Sequence, residues 1–283
     1  PVIRGQKTDK EKFAGAERTY TIECMMHDRK ALQAGTSHYF GDGFPTAFDI
    51  TFTDKNNQQV HPYETSWGVS TRIIGGIIMT HGDNNGLVLP PRIAPIQVII
   101  LPIAAHKPGV TEAAEQLVER LKNQGLRAKG DFSDNSPGWK FAEYEMKGVP
   151  LRIEIGPKDL EKNQCVAVRR DNGEKITLSL DELEQRVPEL LDAVHDGLYA
   201  KAAKNIADHT YAAYSLEEAK QLQEEHGGFI KTMWCGNLQC ELDMKEKAGM
   251  TSRCIPFQQE HLSDVCPICG KKAEKMVYWG VAY

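Results

Sequence analysis

The chain has 283 residues, enough for two or three domains. Its 41% hydrophobic and 26% charged content is that of an ordinary globular protein, and no apolar run approaches a membrane span, so the expected compartment is the cytoplasm. The net charge of −5 argues weakly against a nucleic-acid partner: residues 1–106 carry 10 basic and 10 acidic side chains, 107–170 carry 12 and 10, and 171–283 carry 12 and 19, so only the middle is slightly basic and any RNA contact depends on local placement rather than a general field.

In chain order, Pro1-Val2-Ile3-Arg4-Gly5 has neither an initiator Met nor a signal peptide, as an excised piece would. Residues 48–53 alternate with period two and predict a strand. Residues 54–58 form a turn-rich break, and a further strand is expected over 60–67. A helix over 71–79 then covers one face of an antiparallel sheet. That sheet reads as partial, with a bare edge open to pairing with another chain. Arg72 falls in the first turn of the helix, beside free backbone N–H groups that favour an anion. A guanidinium there can take a phosphate or stack on a base, or it can simply pair with a surface carboxylate.

The run Pro90-Pro91-Arg92-Ile93-Ala94-Pro95 is a stiff connector. Beyond it come a buried strand over 96–100 and a helix capped by Thr111, with Ala114, Leu117, Val118 and Leu121 on one face. A strand over 126–129, a helix over 137–147 stopped by Gly148 and a strand over 149–155 follow. A hairpin from residues 165–170 and 175–180 turns at Asp171-Asn172-Gly173. Strands alternating with helices predict a largely parallel core. A long helical stretch runs from 179 toward 214, with Pro188 forcing a break or kink. Ser215-Leu216-Glu217-Glu218 reads as a capping box, and Gly227-Gly228 ends that helix.

Five of the seven cysteines lie between Cys235 and Cys269. Cys235 and Cys240 form one close pair, Cys266 and Cys269 another about 25 residues on, the spacing of a tetrahedral zinc site. Disulfides or free thiols are the alternatives, the former disfavoured in a reducing compartment. Cys254 sits alone in an apolar strand-like run and reads as a small core hydrophobe. Four thiolates fill a structural site, closed to substrate.

Several motifs carry a specific resemblance: Lys12-Phe13-Ala14-Gly15-Ala16, Thr21-Ile22-Glu23, Ala31-Leu32-Gln33-Ala34-Gly35-Thr36-Ser37-His38-Tyr39, Ser66-Trp67-Gly68-Val69-Ser70-Thr71-Arg72 and Gly86-Leu87-Val88-Leu89-Pro90-Pro91-Arg92. Through them the chain resembles the archaeal/eukaryotic-type prolyl-tRNA synthetases, of class II, over its whole length. The resemblance implies an enzyme that activates proline with ATP and Mg2+ and passes the prolyl group to tRNA-Pro, as a homodimer. It places Gln33, Thr36, Ser70 and Arg72 on ATP, and His38, Trp67 and Gly68 on the proline pocket. Glu145, Arg152, Lys158 and Asp159 match anticodon-reading positions and are expected to converge at one rim of the middle sheet. The final Tyr283 matches a tyrosine that folds back toward the catalytic domain.

The family's first and second class II motifs have no counterpart here, so the expectation is a C-terminal portion, inactive by itself, with no catalytic side chain assigned. The expected architecture is α/β and α+β: the end of a class II antiparallel sheet in residues 1–90, an anticodon-binding α/β domain with a mixed sheet in 91–199, and a small zinc-binding α/β domain in 200–283. A non-enzymatic tRNA-binding or regulatory paralogue, or a structural zinc module, would keep the same landmarks.

Overall fold

The computed structural model describes residues 1–283. The chain divides into two compact units, one of residues 1–80 with 203–283 and one of residues 81–202. No helix is long and apolar enough to cross a membrane.

The first unit opens with strands β1 (Ile3–Gln6), β2 (Arg18–Met25) and β3 (Ala31–Gly41), a short helix α1 (Gly43–Ala47), a two-stranded excursion β4 (Phe52–Thr53) and β5 (Gln59–Val60), then β6 (Glu64–Gly68) and helix α2 (Arg72–His81). The strand expected over 48–53 is therefore reduced to its last two residues. Asp49 takes a positive φ of 53°, which breaks the extended run, and Phe48 is left 71% exposed.

The second unit contains β7 (Val98–Pro102), α3 (Val110–Asn123), β8 (Ala128–Gly130), α4 (Pro137–Met146), β9 (Leu151–Ile155), α5 (Pro157–Glu161), β10 (Gln164–Arg169), β11 (Lys175–Ser179) and most of α6 (Leu183–Asp208). Its sheet has the order β11-β10-β9-β7-β8. β7 is parallel to β8 and β9, while β9, β10 and β11 run antiparallel, so the sheet is mixed. Ile100, Leu121, Leu151, Ile153 and Leu183 form its fully buried centre. Two expectations are modified in detail. The α3 cap is Gly109 in the left-handed region, which Thr111 leaves to itself by donating its hydroxyl back to the Ala105 carbonyl at 3.1 Å. Pro188 lies inside α6 and does not break it, which leaves the kink as the form of the expectation that a continuous helix allows.

The connector at 90–95 belongs to this unit and is fastened there: Arg127 donates to the carbonyls of Ala94 and Pro91, both at 2.8 Å. Gly148 ends α4 with φ of 69°, and a Cβ there would strike the Leu87 backbone at 2.7 Å, so only glycine lets the connector close on the helix.

The chain then returns to the first unit with β12 (Thr210–Ala212), α7 (Leu216–His226), β13 (Phe229–Trp234), α8 (Leu238–Ala248), β14 (Thr251–Pro256) and β15 (Lys275–Gly280). Ser215 caps α7 by accepting from Glu218 N, and the Glu218 carboxylate reaches back one residue farther than a capping box requires, to Tyr214 N at 2.7 Å. These strands extend the first ones into a single sheet, β12-β13-β15-β14-β1-β2-β3-β6. β1 is paired antiparallel to β14, with Gly5 opposite Pro256, while β6 ends the sheet with β3 as its only neighbour and so leaves the expected bare edge. A Cβ at Gly5 would collide with the Ile255 carbonyl, which is why a glycine stands there. Residues 1–80 and 203–283 thus share one sheet.

Candidate functional site

The β2–β3 pair is regular except for one bulge, where Ile22 faces Gly35, Glu23 faces Gln33 and Ala34 is the extra residue. The bulge re-aims β3 next to the loop that joins β6 to α2. There Gln33, Gly35, Thr36, Gly68, Val69, Ser70 and Arg72 line an open cavity of about 250 Å³. All four residues matched to ATP positions therefore meet in one place. Arg72 is the first residue of α2, and its backbone N–H approaches the Ser70 hydroxyl at 3.4 Å. Its guanidinium forms no ion pair, so the surface-carboxylate alternative is not realised. A helix N-terminus, an uncompensated guanidinium and two hydroxyls suit a phosphate chain, although the N–H groups of Ile73 and Ile74 already donate to the Ser70 and Thr71 carbonyls.

His38 lies behind this cavity. Its Nδ1 is 3.0 Å from the Thr19 hydroxyl and its Nε2 is 3.0 Å from the Thr36 hydroxyl. Burial lowers its pKa, favouring the neutral ring. Thr19 also accepts from Phe13 N at 3.1 Å. Thr19 can then give its proton to Nδ1 while Nε2–H donates to Thr36, leaving the Thr36 hydroxyl proton for a ligand. The residues matched to the proline pocket do not all gather. Cross-strand pairs join Thr36 to Gly68, Ser37 to Trp67 and His38 to Ser66. Because side chains alternate, His38 shares a face with Thr36 and Gly68, and Trp67, 80% exposed, points to the other.

Sequence reasoning missed the polar core beneath β2. Glu23 is fully buried and accepts from Lys7 Nζ at 2.8 Å, Thr21 Oγ1 at 2.7 Å and Arg253 at 2.8 and 3.0 Å. Beside it Glu241 accepts from the hydroxyls of Thr8, at 2.8 Å, and Ser252. The only sequence signal was a charged residue at an inward position of the alternating β2 strand.

In the second unit a cavity of about 470 Å³ is walled by Asp83, Asn85, Glu145, Arg152, Arg169, Arg170, Asp171 and Lys175, among others. Glu145 stands at the end of α4 and accepts from Asn85 Nδ2 at 3.1 Å. Arg152, near the start of β9, lies 4.1 Å from the centre of the Phe141 ring and donates to Glu154 at 2.9 Å. Lys158 and Asp159 are not part of this wall. They follow the far end of β9 in α5, where Asp159 accepts from Gly156 N at 3.0 Å and so closes its own turn. The expected convergence of four residues at one rim is thus reduced to Glu145 and Arg152.

Cys235, Cys240, Cys266 and Cys269 come together with their sulfurs all within 4.8 Å of one another. Cys235 Sγ lies 3.7 Å from that of Cys240 and 3.6 Å from that of Cys269. Four sulfurs at about 2.3 Å from a zinc ion in a tetrahedron stand about 3.8 Å apart, so the spacing fits. The backbone N–H of Lys271 pulls the Cys269 thiol down to about 7, whereas burial pushes Cys240 up. Cys254 is outside this group, fully buried on β14, and burial raises its pKa to about 12.

Residues 97–190 match the family model described as an anticodon binding domain, and residues 216–283 match the one described as prolyl-tRNA synthetase, C-terminal. All 283 residues align with proline–tRNA ligases of Clostridium novyi (strain NT) and Clostridium botulinum (strain Langeland / NCTC 10281 / Type F), each at 59% identity, and with proline–tRNA ligase 2 of Bacillus thuringiensis (strain Al Hakam) at 58%. The chain spans about 59% of the length of these curated relatives. The chain belongs to the prolyl-tRNA synthetases, as a C-terminal portion that carries the anticodon-binding and C-terminal domains.

Proposed function

We propose that these residues serve a proline–tRNA ligase, an ATP-dependent enzyme that activates proline and transfers it to tRNA-Pro. The observation that carries this reading is identity of 58–59% across the entire chain to proteins named for that activity. Residues 1–90 belong to the catalytic domain, in which Gln33, Thr36, Ser70 and Arg72 hold ATP, as its Mg2+ complex, and Gly68 and the neutral His38 stand on the proline side. Trp67, on the opposite face of the strand, would have to reach that pocket around the open β6 edge. Attack of a carboxylate on ATP needs positioning and charge stabilisation, which a helix N-terminus with Arg72 supplies, so no acid–base role falls to His38.

Residues 91–199 read the anticodon. Proline anticodons end in two guanines, whose O6 and N7 accept from an arginine and whose N1–H and N2–H donate to a carboxylate. Arg152 and Glu145 on one cavity wall offer both. Lys158 and Asp159 act from the turn beyond β9. Residues 200–283 hold a structural zinc through the four thiolates, which suits a reducing, cytoplasmic setting, and the complete enzyme works as a homodimer.

The test is binding of this chain to proline tRNA and to the same tRNA with its anticodon guanines replaced, at one salt concentration. Wild type should prefer the first. Arg152→Ala should cost about 1–3 kcal/mol and narrow that preference. Equal affinity of wild type for both would refute the anticodon assignment.

A further inference from the structure

The cavity that holds Glu145 and Arg152 contains more positive charge than base reading requires, and nearly all of it is already neutralised. Arg152 is paired with Glu154 at 2.9 Å. Arg169 is paired with Asp171 at 2.7 Å, and Arg170 with Asp83 at 2.6 Å. Both of the latter pairs are two-pronged, since Arg169 reaches both Asp171 oxygens and Arg170 both Asp83 oxygens. Lys175 is the one cation of the wall that makes no ion pair. It is exposed, at the first position of β11 beyond the Asp171-Asn172-Gly173 turn.

Strand register fixes where this charge points. Val168 on β10 is opposite Arg152 on β9 and opposite Lys175 on β11. Directly paired residues project to the same face, so Arg152, Val168 and Lys175 form one row on the cavity side. Two strand spacings separate the ends of that row, about 10 Å between backbones. The breadth is that of one nucleotide, from the reading edge of its base to its phosphate. The middle of the row is an apolar Val168, over which a sugar can pass without displacing a hydrogen bond.

We propose that Lys175 is a backbone anchor of the anticodon site: it takes a phosphate of the loop nucleotide whose base lies against Arg152 and Glu145. This rests on the anticodon reading above. Phosphate contacts set register and carry no sequence information, whereas base-edge contacts carry the discrimination. The two ends of the row therefore divide the work. Arg169 and Arg170 do not compete for the phosphate, because each guanidinium already faces a carboxylate, and Asp171 and Asp83 would repel an approaching anion from their side of the cavity.

The experiment measures binding of wild type, Lys175→Ala, Lys175→Arg and Arg152→Ala to proline tRNA and to its guanine-altered form, each across a fourfold range of salt. For one lost phosphate contact on a single strand, the slope of log affinity against log salt should become shallower by about 0.7. Over that range wild type should accordingly lose about 2.6-fold more affinity than Lys175→Ala. Lys175→Ala should weaken both RNAs by the same factor, and Lys175→Arg should restore the slope. Arg152→Ala should narrow the preference between the RNAs. An unchanged slope in Lys175→Ala, or a loss confined to the guanine-bearing RNA, overturns the anchor. If wild type shows no preference but Lys175→Ala still flattens the slope, the anchor stands and the base-reading assignment falls. If wild type binds neither RNA, both fall.

Discussion

Removing the carboxylate of Glu23 should be among the most damaging single changes in the first unit. Glu23 is wholly buried, with Lys7 and Arg253 side chains only 3% and 7% exposed against it. Glu23→Ala would leave two like charges in the core without their counter-ion, as well as four donors without an acceptor. A broken buried pair costs about 3–5 kcal/mol, most of it the stranded charge rather than the lost contact. Burial already pulls the Lys7 pKa below its usual value, against the raising effect of Glu23. Without Glu23 it falls further. A lysine depressed in the folded state penalises folding in full below its folded pKa, and the penalty falls as pH rises from that value to the unfolded one of about 10.4, so the deficit should shrink toward pH 10. Urea unfolding followed by tryptophan fluorescence reports on this unit, because Trp279 and Trp234 are buried in it while Trp67 and Trp139 are exposed. With a urea dependence of roughly 2 kcal/mol per molar, the midpoint should drop by about 1.5–2.5 M. Replacing the whole cluster, as Lys7→Met, Glu23→Leu and Arg253→Met together, should restore most of the loss. A deficit below about 1 kcal/mol for Glu23→Ala, or a triple variant no better than the single one, would show that the charges are not the cause.

Metal analysis should find one zinc per chain, lost in the double variant Cys266→Ser, Cys269→Ser and kept in Cys254→Ser; loss in Cys254→Ser would mean a different ligand set. His81 has a pKa lowered to about 4 by burial, helped by the nearby Lys201 and His195, and its Nδ1 is buried without a partner. Its contribution is present above about 6.5 and lost as pH falls through 4, up to about 3 kcal/mol. His81→Leu should flatten the acid limb of stability for the second unit, and an unaltered limb refutes this.

Legibility varied with how local each signal was. Helices and strands of the second unit followed from hydrophobic period and glycine stops, because Gly125, Gly148 and the Asp171-Asn172-Gly173 turn act on their immediate neighbours. The four cysteines were also legible, since pair spacing encodes the two knuckles of a tetrahedral site. Strand register was not. That His38 and Trp67 face opposite ways depends on which residue each meets across β3 and β6, and one bulge at Ala34 decides what reaches the cavity. Nor could pattern alone show that β14, some 250 residues along the chain from β1, is its partner. Nor does pattern show that one Asp159 oxygen closes its own turn on Gly156 N, because such a local side-chain to backbone bond leaves no periodic trace.

That long-range pairing gives the thiol cluster a reach beyond its own knuckles. Cys240 is followed by Glu241 on α8, so the same helical turn supplies one sulfur to the cluster and one carboxylate to the core. The carboxylate accepts from Thr8, just past β1, and from Ser252 on β14, the strand that β1 pairs with. Arg253, next on β14, carries the linkage to Glu23 on β2, and β2 pairs with β3, where Gly35 and Thr36 wall the candidate ATP cavity. Each step is a buried hydrogen bond or a strand pair, and buried polar groups are costly to leave half-satisfied. Displacing α8 by opening the thiol cluster would therefore have to unmake Thr8–Glu241–Ser252 before it reached solvent. A thiol cluster remote from the cavity is in this way tied to the register of β1, β14 and β2, the last of which pairs with the strand that carries Gln33 and Thr36.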